Sequence, residues 1–193
     1  VAYVSIPMAV GLASISKEFV PWFFGPDFGQ VTYLIIISTP ILFLIAMSNV
    51  FGMQYLLPAN KTKEFTTSVT VGAIINVILN FMLIPKYKAI GACVATVMAE
   101  LSVTIIQYIF VRDIIRKRYF LVNALKYLVA SVAMFIVVRV IGNYMGVRII
   151  TTVVQAVIGS VIYVIILILL KDEINLFIFR TINEKLIKKM VRR

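Results

Sequence analysis

Few residues of this sequence are able to do chemistry, and Glu100 is the most informative of them. It stands near the middle of an apolar segment spanning 89–111. At ~1.5 Å per residue of helix, that puts it ~15 Å from either end. A carboxyl at such depth costs roughly 3 kcal/mol or more unless it is protonated, paired or turned to water. It therefore belongs to a proton or ion pathway, or to a hydrogen bond that glues helices together. Ala92, Thr96, Glu100, Thr104 and Tyr108 recur every fourth residue, so one face of the helix is small or polar. Such a face is expected inside a bundle, away from lipid.

A second polar face precedes it. Ser68, Gly72, Asn76 and Asn80 are also four apart, a pattern that allows close helix approach with amides pairing between helices. Asn76, Asn80, Thr96, Glu100 and Thr104 are therefore the candidates for lining a cavity or coupling an ion. Arg139 lies within the apolar run 122–142. Near a helix end its side chain is expected to snorkel outward; the alternatives are a reach toward Glu100 or a bound anion. Lys17 and Glu18 fall at the end of the first segment, where charge needs no special role, and the Gly142–Gly146 pair is expected in a turn. No catalytic constellation is expected: convergent acid, base and nucleophile are missing. With no His and only Cys93, neither a metal centre nor an internal disulfide is expected.

The elements that must hold these residues are membrane helices. Hydrophobic residues make up 62% and charged residues 14%, with a mean hydropathy of +1.03. A water-soluble surface needs about a quarter of residues charged, so the expected solvent is lipid. Six segments carry the apolar character, at about 1–20, 31–57, 66–84, 89–111, 122–142 and 149–170. Each is near the ~20 residues that cross ~30 Å of hydrocarbon. The run VIYVIILILL at 161–170 has no alternation, which excludes a barrel strand. The predicted fold is all-α: a polytopic bundle of about six membrane-spanning helices over 1–170, followed by a tail over 171–193. Pro21, Pro58 and Pro85 are expected to close segments, and Pro40 to kink one.

Charge gives an orientation. Lys61, Lys63, Arg112, Arg116, Lys117, Arg118 and Lys126 share one side with Lys171, Arg180, Lys185, Lys188, Lys189, Arg192 and Arg193. The other side has only Lys17, Lys86, Lys88, Arg139 and Arg148. The positive-inside rule places the rich side, and the C-terminus, in the cytoplasm. Trp22, Phe23 and Phe24 then fall at the outer interface. In the tail, Ile174, Phe177, Ile178, Ile182, Leu186 and Met190 recur at helical spacing among basic residues, as in an amphipathic helix lying on an anionic leaflet. The net charge of +11 is thus directed at lipid headgroups, and nucleic acid is not an expected partner. Val1 already stands inside an apolar segment, which predicts a piece of a longer protein.

The stretches FVPWFFGPDF (19–28), GMQYLLPANKTKEF (52–65) and INVILNFMLIPKYKAIGACVATVMAE (75–100) resemble the polysaccharide transporter branch of the multidrug/oligosaccharidyl-lipid/polysaccharide exporter superfamily, the Wzx-type flippases. The resemblance rests on Gly25, Pro58, Asn76, Asn80, Pro85, Gly91, Ala92 and Glu100. It departs at Lys88, where the family usually has glycine, and at Cys93, where it commonly has alanine. It implies most of the C-terminal lobe of a two-lobed transporter whose missing N-terminal lobe completes the cavity. It further implies transport of polyprenyl-pyrophosphate-linked oligosaccharide repeat units across the bacterial cytoplasmic membrane for O-antigen or capsule, alongside polysaccharide polymerase machinery. Arg139 is then the candidate contact for the pyrophosphate. Glu100 is the candidate for coupling to H⁺ or Na⁺, with no other cofactor implied. The alternatives are a drug or organic-cation antiporter of the same superfamily, a peptidoglycan-precursor flippase, and a membrane assembly subunit that transports nothing.

Overall fold

The computed structural model describes residues 1–115 and 117–175. Its regular elements are six α-helices: α1 (Ala2–Phe23), α2 (Gly29–Ser38), α3 (Pro40–Ser48), α4 (Thr62–Val111), α5 (Lys117–Met145) and α6 (Ile149–Leu169). A π-helical stretch, Asn49–Leu56, prolongs α3. Four stretches are long and apolar enough to cross a membrane: Pro26–Leu56, Thr62–Val111, Arg118–Met145 and Ile149–Leu169. The expected count of six is not reproduced by length and apolarity. The third and fourth expected segments run together as one 50-residue helix, and α1, charged at Lys17 and Glu18, is not among the four.

That 50-residue helix doubles back on itself. Lys88 adopts φ 50° and ψ −127°, outside helical space, and splits α4 into legs 62–87 and 89–111. Ser68 on the first leg accepts a hydrogen bond from Gln107 Nε2 on the second, at 3.1 Å. A Cβ on Gly72 would overlap the Val103 side chain and lie 3.3 Å from the Ala99 carbonyl oxygen. Backbones this close require glycine at the contact. The expected stop at Pro85 is therefore displaced: the helix passes it and reverses at Lys88. Pro21 likewise lies inside α1, which runs on to Phe23.

Two internal prolines are accommodated by hydroxyls. Pro40 has no N–H to give Ile36, and Thr39 Oγ1 donates to the Ile36 carbonyl instead, at 2.9 Å. Thr39 keeps helical angles (φ −58°, ψ −33°), so the chain passes from α2 to α3 with a break in hydrogen bonding and little change in course. Pro7 frees the Tyr3 carbonyl in the same way, and Tyr163 Oη donates to it at 2.7 Å. Both repairs follow from lipid offering no water to an orphaned carbonyl.

Packing divides the molecule in two. In one half α1, α5 and α6 enclose a core of Tyr127, Ala130, Met134, Val138, Tyr163 and Leu167. In the other, α4 packs on α2, α3 and the π-helical stretch, around Met47, Phe51, Leu56 and Val111. Helix α1 also packs on α2 and α3 and joins the halves. The outer faces are apolar and open, with Phe81 79% and Leu169 74% exposed among many exposed aliphatic residues. Water tolerates no apolar surface of that extent, and lipid solvates it. The chain is a multi-pass membrane protein. Phe19, Trp22, Phe23, Phe24 and Phe28 pack, mostly edge to face, into an aromatic cluster at the α1–α2 corner, and Trp22 Nε1 donates to Thr152 Oγ1 at 2.8 Å. Of the tail expected to form an amphipathic helix, 176–193 lie outside the described residues.

Candidate functional site

The strongest polar constellation joins α1, α5 and α6. Arg139 Nη1 donates to both carboxylate oxygens of Glu18, each at 3.0 Å, and to the Ser14 carbonyl at 3.2 Å. Gln155 Nε2 donates to Glu18 Oε2 at 3.2 Å and to the Val138 carbonyl at 3.0 Å. Glu18 is 4% exposed and Gln155 fully buried, so both charges of the pair sit in a medium where their attraction is strong and their isolation costly. Local sequence makes the arrangement possible. Ser14 and Glu18 share a face of α1 by their four-residue spacing. Gly142 follows Arg139 by less than a turn on α5. A Cβ there would lie 2.6 Å from Glu18 Cδ, Glu18 Oε1 and Gln155 Nε2, so only glycine leaves room for the carboxylate.

Two expectations are corrected here. Arg139 does not snorkel outward or reach Glu100; it pairs with Glu18, a residue expected to need no special role. Gly142 lies inside α5 and not in a turn; Gly146, at φ +69°, is the residue that ends the helix. The signal for Glu18 was present in the sequence. An acid and a base each interrupt an apolar run, and in lipid such charges seek one another.

Beside the pair opens a cavity of about 870 Å³. Its polar lining includes Lys17, Glu18 and Arg139 together with Thr32, Tyr33 and Asn143. The charged groups of that lining amount to one carboxylate against a guanidinium and an ammonium, so the cavity is net cationic. Among the described residues all of Arg139's hydrogen bonds run through Nη1, and about a fifth of its side chain stays exposed (21%).

The other candidates fall in the second half of the molecule. Glu100 is partly buried on the second leg of α4, and among the described residues its carboxylate forms no ion pair. Thr104, on its face, is buried and donates to the Leu44 carbonyl of α3 at 3.1 Å and to the Glu100 carbonyl at 2.8 Å. Tyr108, further along, meets Phe51 at a ring separation of 6.1 Å. The face bearing Glu100 thus turns toward α3 and its π-helical extension. Thr96 Oγ1 bonds within its own helix, to the Ala92 carbonyl at 3.0 Å. Asn76 and Asn80 are joined to each other, Asn80 Nδ2 donating to Asn76 Oδ1 at 2.8 Å. This is a pairing along one helix where pairing between helices was expected. The amide that does bridge the legs is Gln107, fully buried and passed over in the sequence because it lies one register away from the Glu100 stripe.

This fold has a counterpart among solved structures. The chain aligns with the lipid II flippase MurJ in its inward closed conformation at a TM-score of 0.76 and 23% identity, over 90% of this chain and 37% of that one. The shared property at that identity is the fold, a bundle of helices. A particular relative is found by sequence: a protein of Escherichia coli (strain K12) named "Putative O-antigen transporter" is 34% identical over 89 residues, 46% of this chain and 21% of the relative. The chain therefore spans about a fifth of that relative's length. No protein-family model matches. One of these proteins is named as a flippase and the other as a transporter, the class that the resemblance stated from the sequence implies.

Proposed function

We propose that this chain is part of one lobe of a membrane flippase that moves polyprenyl-pyrophosphate-linked oligosaccharide repeat units from the inner to the outer leaflet. Three lines support the reading. The fold is shared with a lipid flippase, a stretch of the sequence is shared with a protein named as an O-antigen transporter, and a net cationic cavity is built around Arg139. The fold likeness, over nine-tenths of the chain, carries most weight. The chemistry is transport and not bond making. A second lobe of the same protein would complete the cavity, and rocking of one lobe against the other would alternate its access. In this reading the basic loops and the C-terminus face the cytoplasm.

Complementation of an O-antigen flippase-null strain by the full-length gene tests the cargo, with restored surface polysaccharide as the expected result. Rescue of a strain lacking the lipid II flippase instead would move the assignment to the peptidoglycan precursor, the reading that the solved flippase favours. Glu100 is assigned to ion coupling, on its mid-helix position and lack of an ion-pair partner among the described residues. Replacing it with glutamine in the full-length protein is expected to reduce export and flatten its dependence on external pH; unaltered export with unaltered pH dependence removes the role.

A further inference from the structure

The Glu18–Arg139 pair borders the cavity, yet it engages only one edge of the guanidinium. From this geometry we propose that Glu18 is a built-in competitor for an anionic ligand. It occupies Arg139 when the cavity is empty and yields it to a diphosphate group, keeping monoanions out. The inference rests on the transport reading for the origin of its ligand, and its physical basis is independent of that reading.

The argument starts from what each partner loses on exchange. If an incoming anion takes over Arg139, Glu18 is left buried with one remaining donor, Gln155 Nε2 at 3.2 Å. An uncompensated buried charge is costly, so the ligand must return more electrostatic energy than Glu18 gives up. A monoanion offers Arg139 the same single charge that Glu18 already supplies, at better geometry, through two contacts of 3.0 Å. A diphosphate brings at least two charges and can meet Arg139 and the Lys17 ammonium of the same cavity. The guanidinium edge bearing Nε and Nη2 is shaped for bidentate phosphate contact, and Asn143 supplies a further polar group. The exchange needs no proton transfer: Arg139 stays charged, and the Glu18 carboxylate retains its Gln155 amide. Gly142 leaves the carboxylate free of a Cβ on the α5 side, where any larger residue would press on it.

The test is binding of inorganic pyrophosphate and of methyl phosphate to the purified full-length protein in detergent, measured by calorimetry. The wild type is expected to prefer pyrophosphate. Glu18→Gln removes the competitor and keeps a hydrogen-bonding group, and is expected to tighten pyrophosphate by about tenfold and methyl phosphate by more, shrinking the preference. Gly142→Ala, which crowds the same carboxylate, is expected to shift affinity in the same direction and serves as the second variant should Glu18→Gln fail to fold. Arg139→Gln is expected to abolish binding in either background. Unchanged or weakened pyrophosphate binding in both Glu18→Gln and Gly142→Ala overturns the proposal, as does wild-type binding by Arg139→Gln. Competition by phosphatidylcholine vesicles carrying a polyprenyl diphosphate distinguishes the sources: displacement of pyrophosphate supports a lipid headgroup, and no displacement overturns that origin. A protein that complements the flippase-null strain but shows no Glu18→Gln gain loses the exchange alone. One that shows the gain without complementing loses the transport reading and keeps the site.

Discussion

Glu18 and Arg139 lie 121 positions apart in sequence and are held together in a medium where an isolated charge is costly. The consequence for stability is asymmetric. Removing Glu18 strands a guanidinium against α1, and Glu18→Leu is expected to cost about 3 kcal/mol. The double variant Glu18→Leu/Arg139→Met, which removes both charges, is expected to recover most of that loss. Thermal unfolding in detergent of the two singles and the double checks it. A double no more stable than Glu18→Leu would mean that packing and not charge holds this junction. At the same scale, Thr39 and Pro40 should couple. Thr39→Val removes the hydroxyl that satisfies the Ile36 carbonyl and is expected to cost about 1 kcal/mol. In a Pro40→Ala background the restored backbone N–H takes over, and the same change should be nearly neutral.

Among the elements, the α4 hairpin has the clearest conflict between residue and conformation. Lys88 holds φ 50° and ψ −127°, a region open to glycine and strained for a residue with a Cβ. Lys88→Gly is therefore expected to stabilise the protein by about 1 kcal/mol, read as a raised midpoint of thermal unfolding. The legs also predict a cross-link. With Cys93 changed to serine, cysteines at Gly72 and Val103 should form a disulfide on mild oxidation, since a Cβ at Gly72 lies 3.7 Å from the Val103 Cβ, within the Cβ separation of a disulfide. A pair at Phe81 and Gln107, with Phe81 on the outward face, should not.

The molecule as a whole is two packed halves joined through α1, with polar groups concentrated in each and apolar surface outside. The Glu100 face belongs to the half built on α4, while the cationic cavity opens between α1 and α5 of the other half and α2. Coupling between an ion at one and an anion at the other has two routes, through α2, which lines the cavity and packs on α4, and through α1 and α3. This predicts that Glu100→Gln leaves pyrophosphate affinity at Arg139 unchanged in the static protein, while altering transport. A change in affinity as large as that from Arg139→Gln would show that the two sites are one. Orientation is read at the same scale: a reporter fused after Arg193 is expected to fluoresce in the cytoplasm and to lack periplasmic phosphatase activity.

How much of this was legible in the sequence follows from the range of the forces involved. Membrane residence, helical class and approximate span positions come from composition and run length, because every peptide group in lipid must bond within its own helix. Those properties are local, and residues 161–170 display them without reference to any neighbour. Pro40 was legible only in part: a kink was expected, and the Thr39 hydroxyl, bonded to the Ile36 carbonyl, accompanies a helix that keeps its course. Register between helices was not legible. The four-residue stripe through Glu100 marks a polar face correctly, but which face meets the hairpin partner depends on where the chain reverses. That reversal came at Lys88, three residues past the proline, and made Gln107 the bridging residue in place of the asparagines. The Glu18–Arg139–Gln155 constellation depended wholly on tertiary structure. Each member looks incidental alone, and only the packing of α1 against α5 and α6, with Gly142 leaving room between them, turns three isolated polar residues into a site.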